Sequence, residues 1–233
     1  MKRLWALLTT LTLLCGCSLI PSFSPQDPAE LREKLSLALL ENHFEKASNI
    51  LTQLLRSHEA GSEDSLLQGE LRQRLNDFEG AARHYDKALS QVQGEERNFL
   101  RHRLGTLFLL NLGQEEKVLP LMDHLGKGPA RRTDLEALML LKHGDARKAL
   151  VHLNTIINTP LPKSLAAEIL YHAALAYWQL HAYKECSEML YKALGLSNDS
   201  ILLNYQIEIL WRKLEVDRKN NSGRNALKKR HDR

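Results

Sequence analysis

The stretch NDFEGAARHYDKAL, residues 76–89, carries the pattern that decides the fold of this chain. After an Asn-Asp pair typical of a tight turn, Phe78, Ala81, Tyr85 and Ala88 follow one another at intervals of three or four residues. This spacing places two aromatic rings and two small apolar side chains on a single face of a helix. The sequence therefore predicts a helix after the turn, which a second helix approaches closely at the small residue Ala81.

The same pattern recurs along the chain with a nearly fixed period. The small residue of each copy lies 34, 37, 31 and 37 residues after the previous one, at Ala47, Ala81, Val118, Ala149 and Cys186. Apolar residues, most of them large, follow it at four and seven positions, where they fill the space toward the next unit. A period of this length indicates a repeat protein whose units stack on their neighbours.

Each copy is preceded by a segment with apolar residues at helical spacing, such as SLLQGELRQRL over 65–75. Each unit is therefore predicted to be a pair of antiparallel helices, and the chain to be all-α. A last helix, DSILLNYQIEILWRKLE over 199–215, has no partner after it, and we expect a cap or the first half of a sixth repeat. Pro120 and the loose loop over 125–134 predict an irregular centre.

The pattern Phe78-x-x-Ala81-x-x-x-Tyr85-x-x-Ala88 resembles the second helix of a tetratricopeptide repeat. The resemblance extends over residues 28–215. It implies a right-handed helical solenoid of about five helix-turn-helix repeats plus a C-terminal capping helix. Members of this superfamily are non-enzymatic and hold partner proteins, so the resemblance also implies a binding protein.

The first residues of the chain resemble a targeting signal. Lys2 and Arg3 precede the apolar run LWALLTTLTLL (4–14), which is too short to span a bilayer and suits a signal peptide. Leu14-Cys15-Gly16-Cys17 then resembles the bacterial lipobox, which implies a signal peptide over 1–16 and lipidation of Cys17. Ser18 resembles the pattern sent to the outer membrane, here its periplasmic face, and 17–27 is expected to be a tether. An ordinary secretory leader and an uncleaved anchor remain alternatives.

The formal net charge of +4 is concentrated at the two ends of the chain. Seven Lys or Arg residues against two Asp follow from Asp217 onward, and two more cations lie in the leader, so the body between them is mildly acidic. This distribution does not favour a nucleic-acid partner. The last segment, 216–233, is basic without apolar periodicity, and we expect it to be disordered.

No catalytic or metal-binding motif stands out in the sequence. A P-loop, a G-x-S-x-G elbow, an H-x-x-x-H pair and a C-x-x-C pair are all missing. Cys186, the one cysteine of the body, lies at a helix-crossing position and is expected to be a small core residue. The sequence therefore predicts no enzyme, no cofactor and no metal.

The first helices of tetratricopeptide arrays line a concave groove, and the resemblance assigns groove positions in this chain. The side chains carried over to these positions are mainly basic or aromatic: Arg32, Arg74, His102, Arg131, Lys142, Tyr171, Trp178, Tyr205, Arg212 and Lys213. Aromatic rings beside cations suit an extended or helical peptide. The alternative is that Tyr171 and Trp178 only pack between repeats.

The layout of a lipobox followed by repeats is similar to that of the pilotin-type lipoproteins, which help pilus secretins assemble. The resemblance implies a membrane-anchored scaffold that binds protein partners of the cell envelope. A peptidoglycan- or glycan-binding envelope protein, using the aromatic surface and the basic tail, is the alternative.

Overall fold

The computed structural model describes residues 27–56, 61–126, 130–197 and 200–231, with side chains as far as residue 220. These residues form helices and connecting turns without a β-strand among them. The helices are α1 Pro28–Leu40, α2 Phe44–Leu54, α3 Ser62–Arg74, α4 Phe78–Gln91, α5 Gly94–Leu107, α6 Val118–Asp123, α7 Ala130–Lys142, α8 Ala146–Ile156, α9 Lys163–Gln179, α10 Tyr183–Leu196 and α11 Ile201–His231.

The helices pack as five hairpins and one terminal helix, which confirms the all-α helical-repeat solenoid. The pairs α1/α2, α3/α4, α7/α8 and α9/α10 are in extensive contact, and α6 packs against α5. The five small residues that define the period are fully buried: Ala47, Ala81, Val118, Ala149 and Cys186. The second helices α2, α4, α8 and α10 also pack against the first helix of the next unit, so the apolar core runs between the two layers.

Each hairpin turns through one residue in the left-handed region of backbone space, five positions before its small residue. These residues are Asn42, Asn76, Gly113, Gly144 and His181, with φ between +57° and +82°. Asn and Gly adopt this conformation at little cost, which explains why the turns are rich in them. The repeat is therefore as regular in its turns as in its core.

The centre of the array is irregular, as the sequence predicts. The helix α5 continues into a π-helical turn at Phe108–Leu112, which adds a residue before the turn at Gly113, and a 3-10 turn at Glu115–Lys117 precedes α6. Pro120 lies in the first turn of α6, where a missing N–H leaves no helical hydrogen bond unmade. The second helix of this unit is accordingly the shortest, at six residues.

The terminal helix α11 is longer than the sequence indicates. It continues to His231, so the predicted solenoid boundary at 215 lies inside it and the segment 216–231 is helical where a disordered tail was expected. Contacts explain the difference close to the boundary: Asp217 accepts a hydrogen bond from Trp178, and Arg218 donates to the carbonyl of Tyr183 and to Ser187. Good helix formers, Ala, Leu, Lys and Arg, follow only over 226–230, after the low-propensity stretch NNSGRN at 220–225.

The first helices of successive units contact one another, through ion pairs between α1 and α3 and between α3 and α5 and by closer packing from α5 onward. The terminal helix α11 contacts α3 as well as its neighbours α9 and α10. The array therefore curls until its last helix touches its second unit. We call the surface formed by α1, α3, α5, α7, α9 and α11 the inner face. Among the described helices, none is long and apolar enough to cross a membrane. The proposed leader, Cys17 and the tether as far as residue 26 lie outside the described residues.

Candidate functional site

A cluster of charged side chains lies buried on the inner face and joins four first helices. It consists of Glu70 from α3, His102 and Arg103 from α5, Asp134 from α7, and Glu168 and His172 from α9; we call it the ion-pair cluster. His102 and Asp134 have no exposed surface. Burying charge is favourable only when each group has a partner, so the distances within the cluster matter.

His102 lies between two carboxylates. Its Nε2 is 2.7 Å from Asp134 Oδ2, and its Nδ1 is 3.3 Å from Glu168 Oε2. Burial by itself would lower the pKa of His102, but the hydrogen bonds with Asp134 and Glu168 and their negative charges outweigh it and raise this pKa to about 9. The imidazole is therefore a cation at neutral pH and can donate from both nitrogens.

The other members complete the pairing. Arg103 lies 3.2 Å from Glu168 and 3.3 Å from Glu70, and His172 Nδ1 lies 2.9 Å from Asp134. Burial would raise the pKa of Asp134, but the neighbouring His172 and His102 hold it well below its usual range. The pKa of Glu70, by contrast, is raised by burial. The cluster thus pairs cations from α5 with carboxylates of α3, α7 and α9.

This arrangement suits structure rather than catalysis. A protonated His102 has no free lone pair, so it is no general base at neutral pH, and its burial keeps substrates away. In the part of the chain that the structure describes, no three His, Cys, Asp or Glu side chains are placed to hold a metal ion. The ion-pair cluster therefore fixes first helices relative to one another.

A cavity of about 290 Å³ opens beside this cluster, between α3, the π-helical turn, α9 and α11. We call it the inner cavity. Its lining combines side-chain amides, apolar groups, two tyrosines and a lysine: Gln73, Asn76, Asn111, Gln206, Phe78, Leu110, Leu175, Leu202, Ile209, Tyr171, Tyr205 and Lys213. Gln73 is positioned from both sides, because it donates to Asn111 at 3.2 Å and accepts from Tyr85 at 3.1 Å.

One edge of the inner cavity is closed by a stacked arginine. The Arg74 guanidinium lies 3.9 Å from the centre of the Phe44 ring and 4.1 Å from that of the Tyr205 ring. These rings come from α2 and α11, so Arg74 joins the first unit to the terminal helix. A guanidinium between two aromatic faces is held by cation–π attraction on both sides.

The structure brings together only some of the residues assigned to the groove. Tyr171, Tyr205 and Lys213 line the inner cavity, and Arg74 stacks at its edge. His102 is buried in the ion-pair cluster, so it is not part of an accessible groove. The remaining assigned residues are engaged elsewhere: Arg32 with Asp64, Arg131 with Glu95, Lys142 with the Gly113 carbonyl, Trp178 with Asp217, and Arg212 with Glu208.

The sequence prediction missed the carboxylates that neutralise these cations. Asp64, Glu70, Asp134 and Glu168 all lie on first helices, close to the register of the assigned cations on neighbouring units. Opposite charges at near-equivalent positions of successive repeats were the available signal. They indicate an inner face whose first helices are joined by ion pairs over much of its length. The inner cavity is the part of this face that remains accessible to a ligand.

The chain matches no protein-family model and no curated protein. Solved structures with a similar arrangement include a double mutant of MamA RS-1 (19% identity, TM-score 0.47, covering 74% of this chain and 97% of that one). Another is YrrB, a TPR protein with an unusual peptide-binding site (19% identity, TM-score 0.43, covering 78% of this chain and 92% of that one). A third is the TPR2AB domain of yeast Sti1 in a complex with pHSP90 (13% identity, TM-score 0.35, covering 87% of this chain and 96% of that one). At these identities and TM-scores, they do not indicate what this chain binds.

Proposed function

We propose that this chain is a non-enzymatic tetratricopeptide-type scaffold that binds a short segment of a partner protein in the inner cavity. The observation that carries the proposal is the lining of that cavity, where four side-chain amides alternate with apolar groups. Amides offer both a donor and an acceptor, which is what an extended peptide backbone needs. The volume of about 290 Å³ limits the inserted part to a few side chains.

The chemistry of the lining narrows the class of segment. Leu110, Leu202 and Ile209 offer an apolar wall, and Tyr205 adds a ring with a polar tip. Lys213 is the cation of the lining, and its Nζ also lies 5.7 Å from the centre of the Trp178 ring. A segment with apolar side chains and a nearby carboxylate fits this surface best.

We further propose that the scaffold is held at the periplasmic face of the bacterial outer membrane by a lipid on Cys17. This proposal rests on the lipobox-like sequence before Cys17 and on Ser18 after it. Confinement to a surface raises the effective concentration of the scaffold near other membrane proteins. A role in assembling an envelope machine, such as a pilus, a secretion system or an outer-membrane complex, follows from that placement.

The positions of the aromatic side chains do not support the alternative function, glycan binding. Tyr171 is buried, and the Trp178 indole N–H donates to Asp217 at 2.9 Å. Glycan sites use open aromatic faces and free polar groups at their edges. The geometry therefore favours the protein-binding function.

The proposal is tested by site-specific photocrosslinking in cells. A photoreactive phenylalanine analogue is placed at Gln206, which lines the inner cavity, and in a matched protein at Val151, which is exposed on α8. We expect a defined protein adduct from Gln206 and none from Val151, and we expect Ile209→Arg to abolish that adduct. Equal adducts from both positions, or an adduct that survives Ile209→Arg, contradict binding in the inner cavity.

A further inference from the structure

Two grooves on the outside of the array have equivalent walls in successive units. The first, of about 520 Å³, has a wall from α8 with Asn154 and Ile157 and a wall from α9 with Leu170, Ala173 and Tyr177. The second, of about 460 Å³, lies at the C-terminal end, between α10 and α11. We call it the end groove. Its apolar wall residues are Tyr191, Leu194, Ile207 and Trp211.

The two grooves correspond residue by residue. Asn154 and Ile157 correspond to Tyr191 and Leu194, 37 positions later, which is also the interval between Ala149 and Cys186. The three wall residues of α9 correspond to Asn204, Ile207 and Trp211 of α11, each 34 positions later. The end groove therefore repeats the first groove one unit further along the chain.

The two grooves differ in their third wall. In the first groove, α10 supplies it through Met189, Lys192, Gly195 and Leu196. In the end groove, the described residues supply no such helix, because α11 runs on without a turn to His231.

Without a third wall from the described residues, apolar side chains of the end groove are exposed. Leu194 is 52% exposed, whereas its equivalents Leu55, Leu89 and Ile157 are partly buried against the core. Tyr191 is 65% exposed, and the centre of its ring lies 4.7 Å from the centre of the Trp211 ring in an edge-to-face arrangement. An exposed aromatic and aliphatic surface of this kind is characteristic of a docking site.

We propose that the end groove binds an amphipathic helix of another protein, which takes the place of the second helix of a sixth repeat. The first groove, already closed by α10, shows the geometry of that interface within the same chain. This surface is separate from the inner cavity, so the inference goes beyond the function proposed above.

The charges at the groove define the chemistry of the partner helix. Glu208 is the equivalent of Ala174, 34 positions earlier, whose small side chain allows helices to approach closely. Glu215 lies two turns further along the same face of α11. Arg212, the cation at this wall, already pairs with Glu208. The surplus charge is negative, so the partner helix carries an apolar stripe flanked by Lys or Arg.

The chain's own C-terminal residues are a poor occupant. The segment RNALKKRH, 224–231, has two apolar residues, too few for a stripe that covers the groove. It also belongs to α11 itself, which is continuous across 201–231. The proposal therefore commits to a helix from another protein, and a second copy of this chain is one of the outcomes that the test separates.

The probe is a fluorescent helical peptide based on residues 182–197, the helix that closes the first groove, with Cys186→Ala to prevent oxidation and with Glu185→Lys and Glu188→Lys to supply the flanking cations. We expect saturable binding to the full chain by fluorescence anisotropy. Leu194→Asp places a charge in the apolar wall and should weaken binding about tenfold or more. Val151→Asp, also on an exposed site but outside both grooves, should leave it unchanged.

Several results would overturn the proposal. They are failure of the peptide to bind, a scrambled peptide that binds equally well, or binding that Leu194→Asp does not affect. Sedimentation that shows a dimer disrupted by Leu194→Asp would assign the end groove to a second copy instead. Because Leu194 is exposed, the variant should fold, and thermal unfolding checks that it does. Photocrosslinking at Gln206 tests the inner cavity independently.

Discussion

Arg74 and Tyr205 lie face to face, with the guanidinium carbon 4.1 Å from the ring centre, although they belong to the second and the last units of the array. Nearest-neighbour stacking of repeats does not require such a contact. Its existence means that the terminal helix α11 stabilises the second unit directly. The contact also forms an edge of the inner cavity, so the shape of the cavity depends on where α11 lies.

Removing this contact should destabilise the whole array. We expect Arg74→Ala to lower the free energy of unfolding by about 1–2 kcal/mol, because the guanidinium is stacked on two rings and partly shielded from water. Urea unfolding of Arg74→Ala, Tyr205→Ala and the double variant gives the coupling between them. Arg212→Ala is the matched control, since Arg212 is exposed and makes a surface pair with Glu208. An equal effect of the two arginine substitutions would contradict the stacking argument.

The ion-pair cluster predicts that stability falls as the pH rises. The pKa of His102 is about 9 in the folded protein and 6.5 ordinarily, so the folded state holds a proton that the unfolded state has lost between these values. The resulting stabilisation is fully present below pH 6.5 and is lost as the pH rises through 9. We expect a loss on the order of 1–3 kcal/mol, measured by urea unfolding between pH 7 and 9.

The control for this pH dependence is His102→Gln, which should be less stable and nearly insensitive to pH in the same range. The Cys186 thiol contributes little in this range, because burial raises its pKa from about 9 to about 11 and most of its effect therefore lies above pH 9. If the wild-type protein and His102→Gln lose stability in parallel, the imidazole between Asp134 and Glu168 is not the responsible group.

Two glycines on helices should respond to alanine with opposite signs. A Cβ on Gly69 would lie 2.4 Å from the Tyr85 ring, which is fully buried and held by Gln73, so Gly69→Ala should cost about 1–3 kcal/mol. A Cβ on Gly195 meets nothing within 4 Å, so Gly195→Ala should add about 0.5–1 kcal/mol through helix propensity. Thermal unfolding of both variants measures this difference. A Gly69→Ala protein as stable as the wild type would mean that the ring can move.

The anchor proposal makes a prediction about the two neighbouring cysteines of the leader. Cys17→Ser removes the thiol that accepts the lipid, so the protein should lose its lipid label and leave the outer-membrane fraction. Cys15→Ser should leave both unchanged, because Cys15 precedes the expected cleavage site. Metabolic labelling with a fatty acid and membrane fractionation measure the two effects. Identical behaviour of the two variants would exclude lipidation at Cys17.

The fold was predictable from the sequence because its determinants are local and periodic. Ala81 and Tyr85 are four residues apart, and the same relation recurs at Ala149 and Leu153 and at Cys186 and Leu190. Helix spacing turns each of these pairs into a buried stripe. The π-helical turn at Phe108–Leu112 was not predicted, although it lies in one of the two 37-residue intervals of the period, between Ala81 and Val118, and adds a residue there.

The inner face was harder to predict because the role of each of its side chains depends on contacts with residues of other units. His102 has the residue type and position of a groove contact, yet Asp134 and Glu168 bury it. Likewise, the length of α11 depends on contacts such as Trp178 with Asp217, which the periodicity does not encode. Local pattern determines the helices, and long-range charge pairing determines which part of the inner face stays open.

The pairing of Arg103 with Glu168 also constrains how the protein is made. Glu168 lies two units after Arg103, so in a chain that emerges N-terminus first Arg103 has only Glu70, and His102 only Asp134, until the fifth unit has appeared. Repeat arrays can usually fold unit by unit as they are synthesised or exported. Here the third unit reaches its final state only after the fifth, and the second only after α11, so the early units complete their fold only when the last helix has been added.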